Sequence, residues 1–159
     1  MRRIIQNTMA TAILGLALAG CAMSPTARGP VTINKNDAAA AAQSISAYRA
    51  QKGLPAVQVD WALMGAAEEQ ARAVAAMDGL SHDAAGNFVG RMRRHGIKGA
   101  AAENLGAGAH SAGRALERWQ ASPSHNDNLL MPEARRIGLV AAHAPETRYK
   151  HFWVLVLAD

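Results

Sequence analysis

The sequence predicts an α+β fold in which helices cover both faces of a small, mainly antiparallel sheet, giving a three-layer α-β-α sandwich. Apolar residues recur at three- and four-residue spacings between Asp37 and Pro123, which is typical of helices. The C-terminal part changes period, because 137–142 and 151–159 are rich in β-branched and aromatic residues. The last of these segments contains the continuous apolar run "FWVLVLA", which indicates a central strand covered on both faces.

Four segments are predicted to be helical, each with start or stop signals: 37–53, 60–79, 87–96 and 111–122. Asp60 is a good N-cap residue, and Gly79 is a typical terminator of the second helix. The fourth helix is expected to end before Pro123, since the residue that precedes a proline avoids the helical region. The small residues along the second helix indicate that another element packs closely on it.

Three segments are predicted to be strands: 56–60, 137–142 and 151–159. The last two form a hairpin through the polar, proline-containing stretch "HAPETRYK". The stretch "AAENLGAG" at 101–108 is predicted to be a loop, because the glycines in and beside it weaken regular structure.

The N-terminus predicts an exported lipoprotein. Residues 1–20 carry two arginines and then a short apolar segment, which is typical of a signal peptide. The "LAGC" that follows resembles the bacterial lipobox, so Cys21 is predicted to be acylated, with palmitate among the expected chains. An ordinary secretory signal with an incidental cysteine is the alternative. Residues 21–36 are interpreted as a flexible tether and 37–159 as one domain.

Composition limits the classes of partner. The formal charge is +5, and removal of residues 1–20 takes away two arginines and no acid, which leaves +3. Basic stripes and interleaved aromatics are absent from the sequence, so we expect no nucleic-acid partner. The cluster "RMRRHGIK" is interpreted as a solvated helix face, which could also meet anionic headgroups. With Cys21 as the only cysteine, no intrachain disulfide can form. We expect a monomer.

Three polar residues stand out as site candidates: His82, Glu103 and His125. Each lies in a predicted loop or at a helix end, about twenty residues from the next, so folding could bring them together. A buried hydrogen-bond network that only fastens helices to the sheet is the alternative. Arg91 is interpreted either as a partner of that network's carboxylate or as a surface residue. The remaining histidines, His95, His110, His143 and His151, are interpreted as ordinary surface residues.

A serine-hydrolase interpretation is suggested by Ser122 and Ser124, which lie beside His125. It is disfavoured because no GxSxG elbow and no ordered acid accompany them.

The order of several motifs resembles one family. The segments "SHD", "AAENLGAG", "SPSHNDNLL", "RRIGLV" and "FWVLVLA" follow one another as in the bacterial branch of the CAP superfamily, which comprises cysteine-rich secretory, antigen 5 and pathogenesis-related 1 proteins. The resemblance runs from about Ser44 to Ala158. It implies an α-β-α sandwich with a cleft lined by two histidines and acidic residues, which in some members holds a divalent metal.

The resemblance also implies roles for individual residues. His82 matches the first histidine of the family, Glu103 its glutamate, and His125 the histidine of the bacterial SPxH segment. Asn104 is expected to fix the chain beside Glu103 through amide hydrogen bonds to backbone. Ser122 stands where eukaryotic members have a second glutamate, so a complete acid/base pair is not visible unless Glu117 or another carboxylate substitutes for it.

These matches imply a candidate metal site. Zn²⁺ or Mg²⁺ could be held by His82, Glu103 and His125. The functional expectation is a non-catalytic envelope module, anchored to the membrane through Cys21, that binds a lipid, a peptide or a wall component. The alternative is a metal-assisted hydrolase. If the cell has two membranes, Ala22 after the cysteine favours the periplasmic face of the outer membrane.

Overall fold

The computed structural model describes residues 29–159, so the predicted signal peptide and Cys21 lie outside the described residues. Its helices are α1 (Ala38–Ala50), α2 (Trp61–Met77), α3 (Phe88–Arg94), α4 (Ala112–Ala121) and α5 (Pro123–Leu129). Its strands are β1 (Thr32–Asn34), β2 (Gln58–Val59), β3 (Ala101–Ala107), β4 (Arg136–His143) and β5 (His151–Ala158).

The four predicted helices are confirmed, and their ends follow from local chemistry. The Asp60 carboxylate accepts a hydrogen bond from the Leu63 amide at 2.9 Å, and the Ser111 hydroxyl accepts one from the Arg114 amide at 3.3 Å. Each bond satisfies an amide that the first helical turn leaves without a partner. Asp37 precedes α1 as predicted, but its side chain makes no capping bond.

The strands form one five-stranded sheet in the order β1-β4-β5-β3, with β2 paired to β4. Only the β2–β4 pairing is parallel. The predicted hairpin is confirmed, since β4 and β5 pair antiparallel from Arg136↔Ala158 to His143↔His151. The predicted strand at 56–60 is present as the two-residue β2.

The prediction of a loop at 101–108 was wrong. Residues 101–107 form β3, which pairs antiparallel with β5 along its whole length. Gly99 and Gly108 have φ of +79° and +76°, so these glycines mark the ends of the strand. Gly106 lies within β3, and its missing side chain leaves room for the ring of Trp119, 3.4 Å from where a Cβ would stand.

Two further elements were not expected. β1 lies within residues 21–36, the stretch interpreted as a tether, so the sheet begins before Asp37. Pro123 ends α4 as predicted, but it also begins α5, because proline suits the first helical position. His125 therefore lies on a helix.

The α-β-α sandwich is confirmed. The pairings Glu103↔Val156 and Gly138↔Val156 place these residues on one face of the sheet, which α2 and α3 cover. Asn104 and Gly106 point to the other face, where they meet α5 and α4. β4 and β5 carry the centre of the core, and residues 152–158 are all buried. Between residues 29 and 159, no helix combines the length and apolar character needed to cross a membrane.

Candidate functional site

The site is organised by the alternation of side chains along β3. Successive residues of a strand point to opposite faces, so Glu103 and Asn104 face different layers of the sandwich. Glu103 faces the layer of α2 and α3, and Asn104 faces the layer of α4 and α5. Glu103 and Asn104 are adjacent in the sequence, but each therefore takes part in a separate set of contacts.

Glu103 is the centre of a buried network on the first face. Its Oε1 accepts a hydrogen bond from His82 Nδ1 at 2.8 Å, and its Oε2 accepts one from Arg91 Nη2. Arg91 is fully buried and also donates to Gln70 Oε1 at 2.8 Å and to the carbonyl of His82 at 3.2 Å. Arg91 is thus a partner of the carboxylate, which decides between the two interpretations of this residue.

The electrostatics of Glu103 combine opposing effects. Burial raises the pKa of the Glu103 carboxyl, while the hydrogen bond from His82 and the charge of Arg91 act to lower it. Only 2% of the Glu103 side chain is exposed, against 58% of the His82 side chain. His82 consequently links the buried carboxylate to solvent.

Asn104 is the centre of the contacts on the second face. Its Nδ2 donates to the carbonyl of His125 at 2.9 Å, and its Oδ1 accepts from Asn128 Nδ2 at 2.9 Å. Asn128 also donates to the carbonyl of Glu103 at 3.2 Å. The expected amide-to-backbone bond of Asn104 is confirmed, although it joins a strand to α5 instead of pinning a loop.

His125 and Ser122 form a pair beside these amides. The distance from His125 Nδ1 to Ser122 Oγ is 2.8 Å, so the two side chains are hydrogen-bonded. Burial lowers the pKa of His125, and the nearby charge of His82 lowers it further. Both effects favour the neutral form of the His125 imidazole, and the second shows that His82 is within electrostatic range.

A cavity of about 190 Å³ adjoins this pair. Ser122 and His125 line it together with apolar walls and one cation, contributed by Leu105, Gly106, Ala107, Ala109, Ala115, Arg118 and Trp119. A larger cavity of about 380 Å³, between α3 and the start of β3, contains none of the predicted site residues. The smaller cavity is the one that belongs to the site.

The predicted metal ligands do not fit a metal centre. Among residues 29–159, no three His, Cys, Asp or Glu side chains are arranged to hold a metal ion. Both oxygens of Glu103 are engaged, and one of them by a guanidinium, whose positive charge opposes a neighbouring cation. The imidazole of His125 bonds to Ser122 and not to Glu103. The reason is the strand, which directs Glu103 away from the layer that carries His125.

Sequence reasoning missed two residues of the site, Gln70 and Asn128. Gln70 is fully buried; it accepts from Arg91 and donates to the carbonyl of Ser81 at 2.7 Å. The sequence could have indicated Gln70, because it lies on the apolar face of α2 and a buried amide needs hydrogen-bond partners. Asn128 lies within the quoted motif "SPSHNDNLL", but its contact with Asn104 could not be foreseen because α5 was not predicted.

Comparison with solved structures supports the fold. The chain is similar to an outer surface protein from Borrelia burgdorferi, with a TM-score of 0.73 and 20% identity over 82% of this chain and 98% of that one. It is also similar to a cysteine-rich secretory protein from Staphylococcus aureus, with a TM-score of 0.60 and 18% identity over 78% of this chain and 39% of that one.

A third similar structure is an extracellular protein containing an SCP domain from Bacillus anthracis, with a TM-score of 0.63 and 22% identity over 76% of this chain and 40% of that one. The chain thus spans about two fifths of the length of the staphylococcal and bacillar proteins. No curated protein matches the chain.

The family follows from the sequence itself. The model of the Cysteine-rich secretory protein family, CAP, matches residues 42–157, which include β2, β3, β4, all but the last residue of β5, and every residue of the site. The solved structures agree with this in fold, and the resemblance of the motifs is confirmed. The chain belongs to the CAP family of cysteine-rich secretory proteins.

Proposed function

We propose that this protein is a non-catalytic module of the cell envelope that binds a lipid, a peptide or a wall component in the cleft at β3. The observation that carries the proposal is the engagement of Glu103, whose two oxygens are bonded to His82 and Arg91. The charge of Arg91 and the hydrogen bond from His82 both act to lower the pKa of this carboxyl, which opposes its use as a general base. Family membership supplies the fold, and a fold alone does not specify a reaction.

The cavity beside His125 indicates what kind of ligand would enter. Its walls are mostly apolar, with Leu105 and Trp119 among them, and its polar groups are the Ser122–His125 pair and Arg118. Small-molecule sites combine apolar walls with a few placed polar groups in this manner. The ligand is expected to bury an apolar group there and to hydrogen-bond the neutral imidazole or the hydroxyl.

The test is a ligand-mass and metal-content measurement on protein purified under native conditions. We expect an organic compound to co-purify with the wild type and to be lost in Ser122→Leu, since Ser122 is half-buried and lines the cavity. Ala121→Leu is the matched control, because Ala121 is exposed and outside the cavity. A stoichiometric metal with no organic compound would contradict the proposal.

A metal-assisted hydrolase that uses His82, Glu103 and His125 is the second candidate. It is favoured by the exposed ring of His82 and by the electrostatic interaction between His82 and His125. In this candidate, an oxygen of Glu103 would have to give up its hydrogen bond with Arg91 or His82 before it could bind the metal.

Calorimetric titration with Zn²⁺ separates the two candidates. A binding module of the proposed kind takes up no Zn²⁺, and Glu103→Gln costs about 1–3 kcal/mol in urea unfolding because it degrades a buried, charge-assisted bond. The hydrolase instead predicts Zn²⁺ binding that Glu103→Gln weakens and that falls as pH drops through about 6 to 7, where imidazole protonates.

The envelope location rests on the N-terminal sequence. Acylation of Cys21 would provide the membrane affinity, with the outer membrane as the expected destination in a cell that has two. Cys21→Ser should release the protein into the soluble fraction or leave it unprocessed. Unchanged membrane fractionation of this variant would refute the lipid anchor.

A further inference from the structure

The chain enters the described domain at the β4–β5 hairpin. The Gly29 amide donates to the Glu146 carboxylate at 3.2 Å, and Thr32 of β1 is the partner of His143 at the end of β4. Glu146 lies in the hairpin loop at 144–150. The N-terminal segment therefore approaches the domain from the end of the sheet at which β4 ends and β5 begins.

The C-terminal end of α2 lies at the same end of the sheet. The Arg148 amide of the hairpin loop donates to the Asp78 carboxylate at 3.0 Å, and Asp78 directly follows α2. Met77 and Leu80 flank this contact and are 48% and 47% exposed, so two of the four exposed large apolar side chains of residues 29–159 lie here. We call Met77, Leu80, Arg148 and Lys150 the hairpin face.

The unpaired charges of the hairpin face are positive. Arg148 and Lys150 are exposed, and neither forms an ion pair with another residue of the described chain. The Arg148 guanidinium instead lies 5.2 Å from the centroid of the Tyr149 ring. The nearby carboxylates, those of Asp78 and Glu146, each accept a hydrogen bond from a backbone amide. Apolar side chains beside unpaired cations are a combination that binds bilayer surfaces with anionic headgroups.

The position of Cys21 limits how the domain can lie on a membrane. Eight residue steps separate Cys21 from Gly29, and a chain of that length spans at most about 29 Å whatever its conformation. A domain of about 130 residues, the size of the described part, has a diameter of about 36 Å. Because the chain enters at the hairpin, it is too short to let the opposite end of the sheet rest on a bilayer that holds acyl chains at Cys21.

We propose that the hairpin face rests on an anionic bilayer surface, with Met77 and Leu80 in the headgroup region and Arg148 and Lys150 against the phosphates. This contact rests on the proposed acylation of Cys21 and adds the orientation of the domain. A short connection keeps the face near the bilayer, so a contact that would be weak for a free protein becomes populated.

This orientation bears on the cavity of the candidate site. Ala107 lines that cavity and pairs with Phe152, close to the hairpin. The cavity would therefore lie in the half of the domain nearer the bilayer, which suits a ligand drawn from the membrane.

Fluorescence quenching by nitroxide-labelled lipids tests the orientation. The acylated protein is reconstituted in vesicles of phosphatidylethanolamine and phosphatidylglycerol, with a fluorophore on the thiol of Met77→Cys. Acylation of Cys21, the only natural cysteine, leaves the introduced thiol as the only reactive one. Val89→Cys is the matched control, because Val89 is 59% exposed on α3, beside the start of β3 at the opposite end of the sheet. Quenching should be at least about threefold greater in Met77→Cys than in Val89→Cys.

The outcomes separate this contact from the anchor. Equal quenching of the two probes would overturn the proposal, and so would stronger quenching in Val89→Cys, which would place the basic residues of α3 on the bilayer instead. Flotation of the same vesicles reports the anchor independently. Protein that does not float with them would refute the lipid anchor and the hairpin contact together, whereas protein that floats but shows equal quenching would refute the contact alone.

Charge substitutions test the contact with headgroups. In the Met77→Cys background, Arg148→Gln with Lys150→Asn removes both unpaired cations and should lower the quenching by about half or more. Asparagine suits position 150, because Lys150 has a φ of +62°. Arg93→Gln with Lys98→Gln is the control, since these exposed cations lie beside the control position on α3 and their loss should leave the quenching unchanged. Undiminished quenching in the first double variant would contradict the proposed contact with the phosphates.

Discussion

Arg91 shows how one buried cation can hold a site together. It is fully buried and bonds to Glu103, Gln70 and the carbonyl of His82, so it joins α3, β3, α2 and the turn that carries His82. A buried ion pair is costly to break from one side, because the remaining charge loses its partner while it stays out of water.

The first prediction is that Arg91→Met destabilises the protein by about 3–5 kcal/mol in urea unfolding at neutral pH. The loss should shrink as pH falls toward 5. Without Arg91, burial raises the pKa of Glu103 further above its usual 4.5, so the folded state takes up a proton that the unfolded state does not. Arg93→Met is the control, since Arg93 is exposed on the same helix and should change stability by less than about 0.5 kcal/mol. Equal effects of the two substitutions would show that the network contributes nothing to stability.

The second prediction concerns the charge state of His125. NMR titration of its ring should give a midpoint below the usual 6.5, because burial and the charge of His82 both disfavour the protonated form. His82→Asn removes the neighbouring charge, so it should move the midpoint of His125 upward. Its control is His95→Asn, which should leave that midpoint in place. An unchanged midpoint in His82→Asn would mean that the two rings do not interact.

Part of this site could be predicted from the residue types in the sequence, and part could not. Glu103 and His82 could be matched to a family pattern, and a carboxylate among small residues is unusual enough to notice. The pairing with Arg91 could not be decided from sequence, because exposed and buried arginines on a short helix look alike. The sequence also did not predict that Glu103 and His125 lie on opposite faces of the sheet, because this depends on residues 101–107 forming a strand.

At the scale of elements, β3 is an edge strand whose outer side is closed by side chains. Its alternate carbonyls, those of Glu103, Leu105 and Ala107, accept from Asn128 Nδ2, Trp119 Nε1 and Arg118 Nη1 at 3.2, 2.9 and 3.0 Å. An open edge can pair with another chain, so these donors protect the strand as well as shaping the cleft. β3 was not predicted because the glycines in and beside it give this segment the local propensity of a loop. Pairing with the apolar β5 nevertheless makes it a strand.

The third prediction tests this protection through Trp119, which is 2% exposed. Trp119→Phe keeps an aromatic ring but removes the donor to the Leu105 carbonyl, and should cost about 1–3 kcal/mol of unfolding free energy. Trp61→Phe is the matched control, because Trp61 is 79% exposed and should change stability by less than about 0.5 kcal/mol. If both variants unfold at the same urea concentration as the wild type, the hydrogen bond does not stabilise the edge.

At the scale of the whole molecule, the layers are joined by groups that local patterns do not reveal. Arg49 of α1 is fully buried and donates to the carbonyls of Leu129, Met131 and Ala134 at 2.8, 3.0 and 3.0 Å. It thereby satisfies the end of α5 and the connection to β4, about eighty residues away. The sequence predicted the helix that carries Arg49, but a contact at this separation leaves no periodic signal.

The spacing of α2 from the sheet depends on Gly138. The apolar pattern of 137–142 predicted a strand there, but gave no reason for a glycine in its buried centre. A Cβ at Gly138 would overlap the backbone of Leu63 and Met64, so the absent side chain lets α2 lie directly on β4. Backbone atoms cannot rotate away as a flexible side chain can.

The fourth prediction is therefore that Gly138→Ala pushes α2 off the sheet and lowers the free energy of unfolding by about 3 kcal/mol or more, at the upper end for overpacking. Gly113→Ala is the control: Gly113 is exposed on α4, and an added Cβ would meet only the Ser111 hydroxyl at 4.0 Å. That substitution should stabilise the protein by about 0.5–1 kcal/mol, because alanine has the higher helix propensity. Urea unfolding of both variants measures the difference. Since Glu103 and Arg91 lie in the layer that α2 covers, Gly138→Ala should also loosen their network, seen as faster exchange of the Ala85 amide, which donates to Gln70. A Gly138→Ala protein as stable as the wild type would show that α2 and β4 can separate freely, and the close packing assigned to this glycine would be wrong.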